Sequence, residues 1–303
     1  MAYADAKKPK IRHSRSDRVF YWVTGIILTV LLLMFLYPLI YVLSASFSSG
    51  QAVSSGRVVL LPVDFSLEGY RMVFRNNQIG RAYLNTILYT VLGTFMNVAM
   101  ILFAAYPLSR RDLKGRGGLM FLFAFTMYFS GGMIPTYILM QEIGFIDTVW
   151  VMIIPGAVNV YNMIVARTFI QSSIPHELFE AANIDGCSDA YYFFSILLPL
   201  SKAIIAVIAM FSAVHHWNAY FSAMMYLNSR PLVPLQIVLR EILIMNQIDL
   251  SMVADPEQAL IMANITNVLK YALIVVSTLP ILCVYPFAQK YFVRGVMIGS
   301  IKG

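Results

Sequence analysis

Six apolar runs, at 19–43, 83–108, 119–140, 149–170, 203–227 and 271–289, dominate this chain. Each is close to the ~20 residues that a helix needs to cross ~30 Å of hydrocarbon at 1.5 Å per residue. Lipid offers no hydrogen bonds, so a helix, which satisfies its own backbone, is the natural form of each run. Charged residues make up 12% of the 303 and hydrophobic ones 59%, whereas ordinary globular domains carry about 25% charged residues. The expectation is an all-α integral membrane protein with six transmembrane helices. Pro38, Pro155 and Pro280 fall inside three of the runs and predict kinks or broken ends. The first run follows a basic stretch, as a signal peptide does. A signal core spans about 7–15 residues, however, and this run is far longer, so it reads as a retained span. No Ser/Gly-rich linker divides the chain. The expected organisation is a tail at 1–18, one six-span domain at 19–292 and a further tail at 293–303.

Basic residues set the orientation. With the N-terminus in the cytoplasm, 15 of the 22 Lys and Arg residues fall inside, including the tight cluster Arg110, Arg111, Lys114 and Arg116. The loop at 141–148 has two acids and no base, and lies outside. Six spans return the C-terminus to the cytoplasm. A net charge of +7 is then explained by residues flanking spans, without nucleic acid. Two external segments are long, 44–82 and 228–270, and the latter is expected to be helical around 234–248 and 256–266. Cys187 and Cys283 are too few and too separated for a disulfide framework.

One polar island interrupts the apolar pattern at 175–199. It carries Glu177, Glu180, Asp185 and Asp189 and no Lys or Arg, and the topology places it in the cytoplasm. Pro175 suits the first position of a helix, where its missing N–H costs nothing. Glu177 then favours the positive end of the helix dipole. Leu178, Ala181, Ala182 and Asp185 follow at helical spacing, with small residues that allow close approach of another surface. Gly186 is placed to end the helix in a left-handed conformation, and Ser188 to cap another one ending near Pro199. The expectation is an amphipathic helix-turn-helix lying along the membrane surface. On the residues alone, it either docks a partner or is an interfacial helix with none.

The pattern Glu180-Ala181-Ala182, then Gly186, then Ile196-Leu197-Leu198-Pro199 resembles the signature of the membrane subunits of ABC importers that use binding proteins. Asp185 before the glycine is also the family's usual choice, while Cys187 departs from its preference for a small residue such as Ala. Trp217-Asn218 and the tail at 289–303 look like the carbohydrate-uptake branch, and within it the complex-oligosaccharide subgroup similar to maltose-type permeases. The resemblance covers nearly the whole chain and implies a type I ABC importer permease in a bacterial plasma membrane. It implies that 175–199 holds the coupling helix, with Glu180, Ala181, Ala182, Asp185, Gly186 and Pro199 as the coupling residues at an ATPase surface. It further implies a second homologous permease, two ATP-binding subunits and an extracellular solute-binding protein. The external stretch 245–257 would reach toward that binding protein.

The chain contains no G-x-x-x-x-G-K-[ST] and hence no phosphate-cradling loop of its own. No cofactor is expected on it; ATP and Mg would sit on the partner ATPase. His176-Glu177 lacks the second histidine of a zinc-protease motif, so no metal site and no catalytic residue is expected. Polar groups inside spans are costly and mark a cavity or a buried contact. Asn159 and Asn162, three apart on span four, and His215, Trp217 and Asn218 in span five are the substrate-path candidates. Neighbours on a helix sit about 100° apart, so His215 and His216 cannot share one pore face. The alternatives are a permease for a non-sugar substrate or a secondary transporter. The latter calls for intramembrane acids or inverted repeats, and neither is evident.

Overall fold

The protein is described here by a computed structural model, which covers residues 14–245 and 256–300. The external stretch 246–255 and the outermost ends of both tails lie outside the described residues. Helices, turns and short loops account for all of the described secondary structure. Three of the six expected spans are continuous helices and three are broken.

Helix α1 (Arg15–Ser46) covers the first run. It opens with a reciprocal cap in which Ser14 Oγ accepts from the Asp17 amide and Asp17 accepts from the Ser14 amide. Short helices α2 (Gly50–Ser54) and α3 (Glu68–Arg75) lie in the segment 44–82 between the first two runs. Helix α4 (Asn77–Ser109) covers the second run and at 33 residues is ~50 Å long. The last run lies in α14 (Pro256–Ser300), whose apolar section is Asn264–Pro286.

The run at 119–140 is two helices, α5 (Arg116–Tyr128) and α6 (Met133–Glu142), bent by 110°. The break falls at Ser130-Gly131-Gly132, residues with poor helix propensity. The run at 149–170 begins as a 3-10 turn, Val149–Met152. Pro155-Gly156 then interrupts it before α7 (Val160–Ser173). Helix α7 has 14 residues, ~21 Å, which is short of a ~30 Å hydrocarbon core. The run at 203–227 divides into α11 (Lys202–Trp217) and α12 (Tyr220–Tyr226). Between α7 and α11 lies the polar island: α8 (His176–Ile184), α9 (Asp189–Tyr191), a π turn (Tyr192–Leu197) and α10 (Leu198–Leu200). Helix α13 (Leu235–Met245) completes the set. Among the described residues, three helices are long and apolar enough to cross a bilayer, or five if two bent pairs, α5 with α6 and Asp189–Leu200 with α11 (bent by 80°), each form one span.

Helix α4 organises the packing. Near its C-terminal end Ile101, Leu102, Ala105 and Leu108 form one core with α7 and the island. Its N-terminal turns join α3, α13 and α14 through Ile79 and Ala82. Midway, α4 crosses α11 so closely that a Cβ on Gly93 would lie 2.4 Å from His216 Nε2. One turn further along α4, buried Asn97 accepts from that nitrogen at 2.9 Å and donates to the Gly156 carbonyl at 3.2 Å. The polar junction therefore joins α4, α11 and the broken segment before α7. Helix α1, by contrast, buries only Ser44, Ala45 and Ser46.

Gly93→Ala is expected to destabilise the protein by about 1–3 kcal/mol, the usual cost of overpacking a filled site. Thermal unfolding in detergent measures it. Combining the change with His216→Ala should restore part of the loss, and an unchanged midpoint in the single variant would refute the close crossing.

Candidate coupling surface and substrate path

The island folds much as its residues dictate. Pro175 is the N-cap of α8 rather than its first residue, a shift of one position. Gly186, at φ +74°, adopts the left-handed conformation. Its amide donates to the Asn183 carbonyl at 3.1 Å, and the Cys187 amide donates to the Ala182 carbonyl at 2.9 Å. This paired C-terminal closure satisfies carbonyls that the helix end would otherwise leave open. Ser188 Oγ then accepts from the Tyr191 amide and starts α9. The π turn ends at Leu197, and Pro199 falls in the first turn of α10, where its missing N–H costs nothing.

Helix α8 divides its residues between two faces. Phe179 and Ala182 turn inward against the core shared with α4 and α7. Glu180, Ala181, Asp185 and Gly186 lie outside that core, and Glu180, Asp185 and Gly186 are exposed. The two alanines are thus separated: Ala182 is 7% exposed and packed within its own chain, which leaves the exposed Ala181 as the small outer residue. Pro199 is also exposed, on the closing helix of the island. Sequence reasoning missed Ile184, which is 87% exposed beside Asp185. Its position off the inward Phe179–Ala182 stripe was the available signal. An open cleft of about 990 Å³ runs alongside, between Arg110, Arg111 and Arg116 on one side and Glu177 and Glu180 on the other.

Several contacts join the island to the ends of α4 and α7. Arg110 follows α4, and its guanidinium carbon lies 3.9 Å from the centre of the Phe179 ring. The guanidinium pairs with Asp112 and Asp189 and donates to Tyr106 Oη at 3.1 Å. Hydrogen bonding from Arg110 holds the Asp112 carboxyl below the usual carboxylate range. From α7, Arg167 Nε donates to the Leu108 carbonyl at 2.9 Å and Gln171 Nε2 to the Ser109 carbonyl at 3.0 Å. Both close the C-terminal end of α4, where a cation is also favoured by the helix dipole.

The substrate-path candidates fall in different settings. Asn159 and Asn162 do not share a face of one helix. Asn159 is the N-cap of α7 and accepts from the Asn162 amide at 2.9 Å. The break at Pro155-Gly156 puts it outside the helix, in a role that asparagine favours. Trp217 is 5% exposed. Its Nε1 donates to the Ser277 carbonyl of α14 at 3.0 Å, and its ring meets Tyr83 edge-on. In this conformation it packs helices together and is closed to a sugar. His216 is likewise buried on Asn97, whereas His215 is exposed. Asn218 is exposed, with Nδ2 donating to the Val214 carbonyl at the end of α11. Thr90 and Thr94 of α4 were not singled out by sequence; they line an apolar groove of about 400 Å³ with Ala209 and Ala213 of α11.

Residues 10–298 match the family described as "Binding-protein-dependent transport system inner membrane component". The chain belongs to this family. Among its relatives is the polygalacturonan/rhamnogalacturonan transport system permease protein YtcP of Bacillus subtilis (strain 168), 42% identical, covering 95% of this chain and 99% of that protein. Protein LplC of the same organism is 40% identical over 88% of this chain and 89% of its own. A crystal structure of a bacterial ABC transporter involved in the import of the acidic polysaccharide alginate includes a chain at TM-score 0.84 and 37% identity. The match covers 93% of this chain and all of that one. The architecture is therefore the all-helical type I ABC permease fold, and the family is one of transport components.

In this inner membrane component the loop after α6 is fastened to the chain after α12. Asp147 adopts a positive φ and accepts from the Asn228 and Ser229 amides at 2.9 and 2.7 Å and from the Ser229 hydroxyl. The Ser229 hydroxyl, then the Ser229 and Asn228 amides, hold its carboxyl below the usual range. The ionised form thus stabilises the docked loop above the ordinary carboxylate pKa of about 4, and that contribution is lost as pH falls through the depressed value. Hydrogen exchange at the Asn228 and Ser229 amides, corrected for the intrinsic rate at each pH, should show protection falling on acidification. Asp147→Asn should show weak protection already at neutral pH; full protection in that variant would refute the fastening.

Proposed function

We propose that this permease is a membrane subunit of an ATP-driven importer that carries a sugar or oligosaccharide into the cytoplasm. The observation that carries the proposal is end-to-end similarity to a polysaccharide transport permease, 95% of this chain against 99% of that one. A second homologous permease would complete the pore, two ATP-binding subunits would supply the work, and an extracellular binding protein would deliver the sugar. ATP and Mg would be held by the ATPase subunits. In this reading the chain makes six passes, with the bent pairs and α7 completing the set, and both termini lie in the cytoplasm.

The outer face of α8 is the proposed receiving surface, with Glu180, Ala181, Asp185 and Gly186 toward the ATPase. Ala182 supports that face from within, and Pro199 sits in α10 at the end of the island. His215 and Asn218 are the candidates with exposed side chains at the end of α11, and Asn159 and Asn162 mark the entry to α7. Alternating access would follow from rigid movement of packed helices.

The complete importer in proteoliposomes tests the proposal. ATP-dependent uptake of labelled oligogalacturonides, alginate oligomers and neutral maltodextrins reads the substrate class directly; uptake of none of them, with an amino acid or peptide carried instead, would overturn it. Coupling has its own test. A Cβ at Gly186 meets no atom within 4 Å, so substitution there acts through the backbone. A left-handed conformation costs most residues ~1–2 kcal/mol, and asparagine less. Gly186→Leu is expected to assemble and hydrolyse ATP while importing little, and Gly186→Asn to retain most uptake. Normal uptake by Gly186→Leu would contradict the coupling role.

A further inference from the structure

We propose that Arg110 is a positioning residue that clamps the island at 175–199 to the end of α4, so that displacement of α8 is passed to α4 without slipping. The inference rests on the coupling role proposed for α8. Three elements meet at this one side chain. It emerges at the end of α4, stacks on Phe179 of α8 and pairs with Asp189 at the start of α9. Asp112, in the loop that follows α4, occupies the rest of the fork. The Arg110 side chain is 18% exposed, against 60% for Asp112 and 67% for Asp189. The cation is thus wedged inward, while its acids close it from outside.

An exposed ion pair contributes little to stability, often nothing measurable. This arrangement differs in burial and in geometry. Below the guanidinium, Phe179 meets Tyr192 edge-on at 5.2 Å, and the Tyr106 ring lies 5.3 Å from Phe193. These apolar contacts hold the island against α4 but are non-directional, and aromatic faces can slide. The Arg fork is directional: its hydrogen bonds to Tyr106, Asp112 and Asp189 fix one register. Lysine would keep the charge and lose the fork. Beyond the clamp, α4 carries Asn97 and Gly93 to His216 of α11, and Asn85 and Tyr89 to the carbonyls of Pro231, Val233 and Leu232. A shift imposed at Arg110 therefore reaches α11 and the segment before α13 through one rigid helix.

The test uses the complete importer in proteoliposomes and reads sugar molecules imported per ATP hydrolysed. A residue that only supports folding would lower the amount of assembled complex and leave this ratio alone. Arg110→Lys is expected to lower the ratio about tenfold, the scale of one lost charge-assisted hydrogen bond. Asp189→Asn should lower it less, and adding it to Arg110→Lys should cost little more, since both break one contact. Arg111→Gln, an exposed neighbour, should leave the ratio as it was. A wild-type ratio in assembled Arg110→Lys would overturn the clamp; if that variant fails to assemble, a wild-type ratio in Asp189→Asn would do so. Should Gly186→Leu uncouple while the Arg110 variants do not, the clamp fails and the coupling surface stands. Should Gly186→Leu also couple normally, the coupling surface fails with it.

Discussion

A backbone carbonyl released by a break in a helix must find a donor within the protein, because hydrocarbon supplies none. This structure meets that requirement with side chains. Asn97 reaches the Gly156 carbonyl in the break before α7, and Asn218 adds a side-chain donor to the Val214 carbonyl at the end of α11. Asn85 and Tyr89 take the carbonyls of the irregular stretch before α13, and Arg167 and Gln171 those at the end of α4. The break before α7 is tied in this way to α4, and the stretch before α13 likewise to α4. At these two places the break and the helix packing are one arrangement.

That same requirement explains which features could be read from sequence. Continuous spans such as α1 and α4 follow from uninterrupted apolar length. The caps at Gly186 and Ser188 follow from local chemistry acting over three or four residues. The extent of the breaks at 129–132 and 153–159 was less legible, because an apolar count runs straight across Ser130-Gly131-Gly132 and across a Gly156 carbonyl that a distant residue satisfies. Asn97 is 59 positions from Gly156, and nothing in either neighbourhood marks the pairing. Pro155 marked the second of these as a kink or broken end, and the chain does leave the helix there.

Polar residues within spans showed the opposite bias. Asn159, His216 and Trp217 drew attention as intramembrane polar or aromatic groups, and each proves to be engaged with the protein itself. His215, exposed at the end of the same helix, differs from His216 in no property visible in sequence; the helical phase decides, through which neighbour each residue meets. On the island the same phase separates Ala181 from Ala182. One alanine of the signature supports the fold and the other faces outward, although they are adjacent and chemically identical.

Helix α1 has almost no buried surface, and its main packing partner is α14. It is synthesised well before that partner. At ~5–20 residues per second, synthesis from Ser46 to Pro256 takes on the order of ten seconds or more. Throughout that interval α1 must persist in the bilayer as a solitary helix. Its sides, apolar in every direction, equip it for that wait, and its packing against the rest of the fold is a late event in biogenesis.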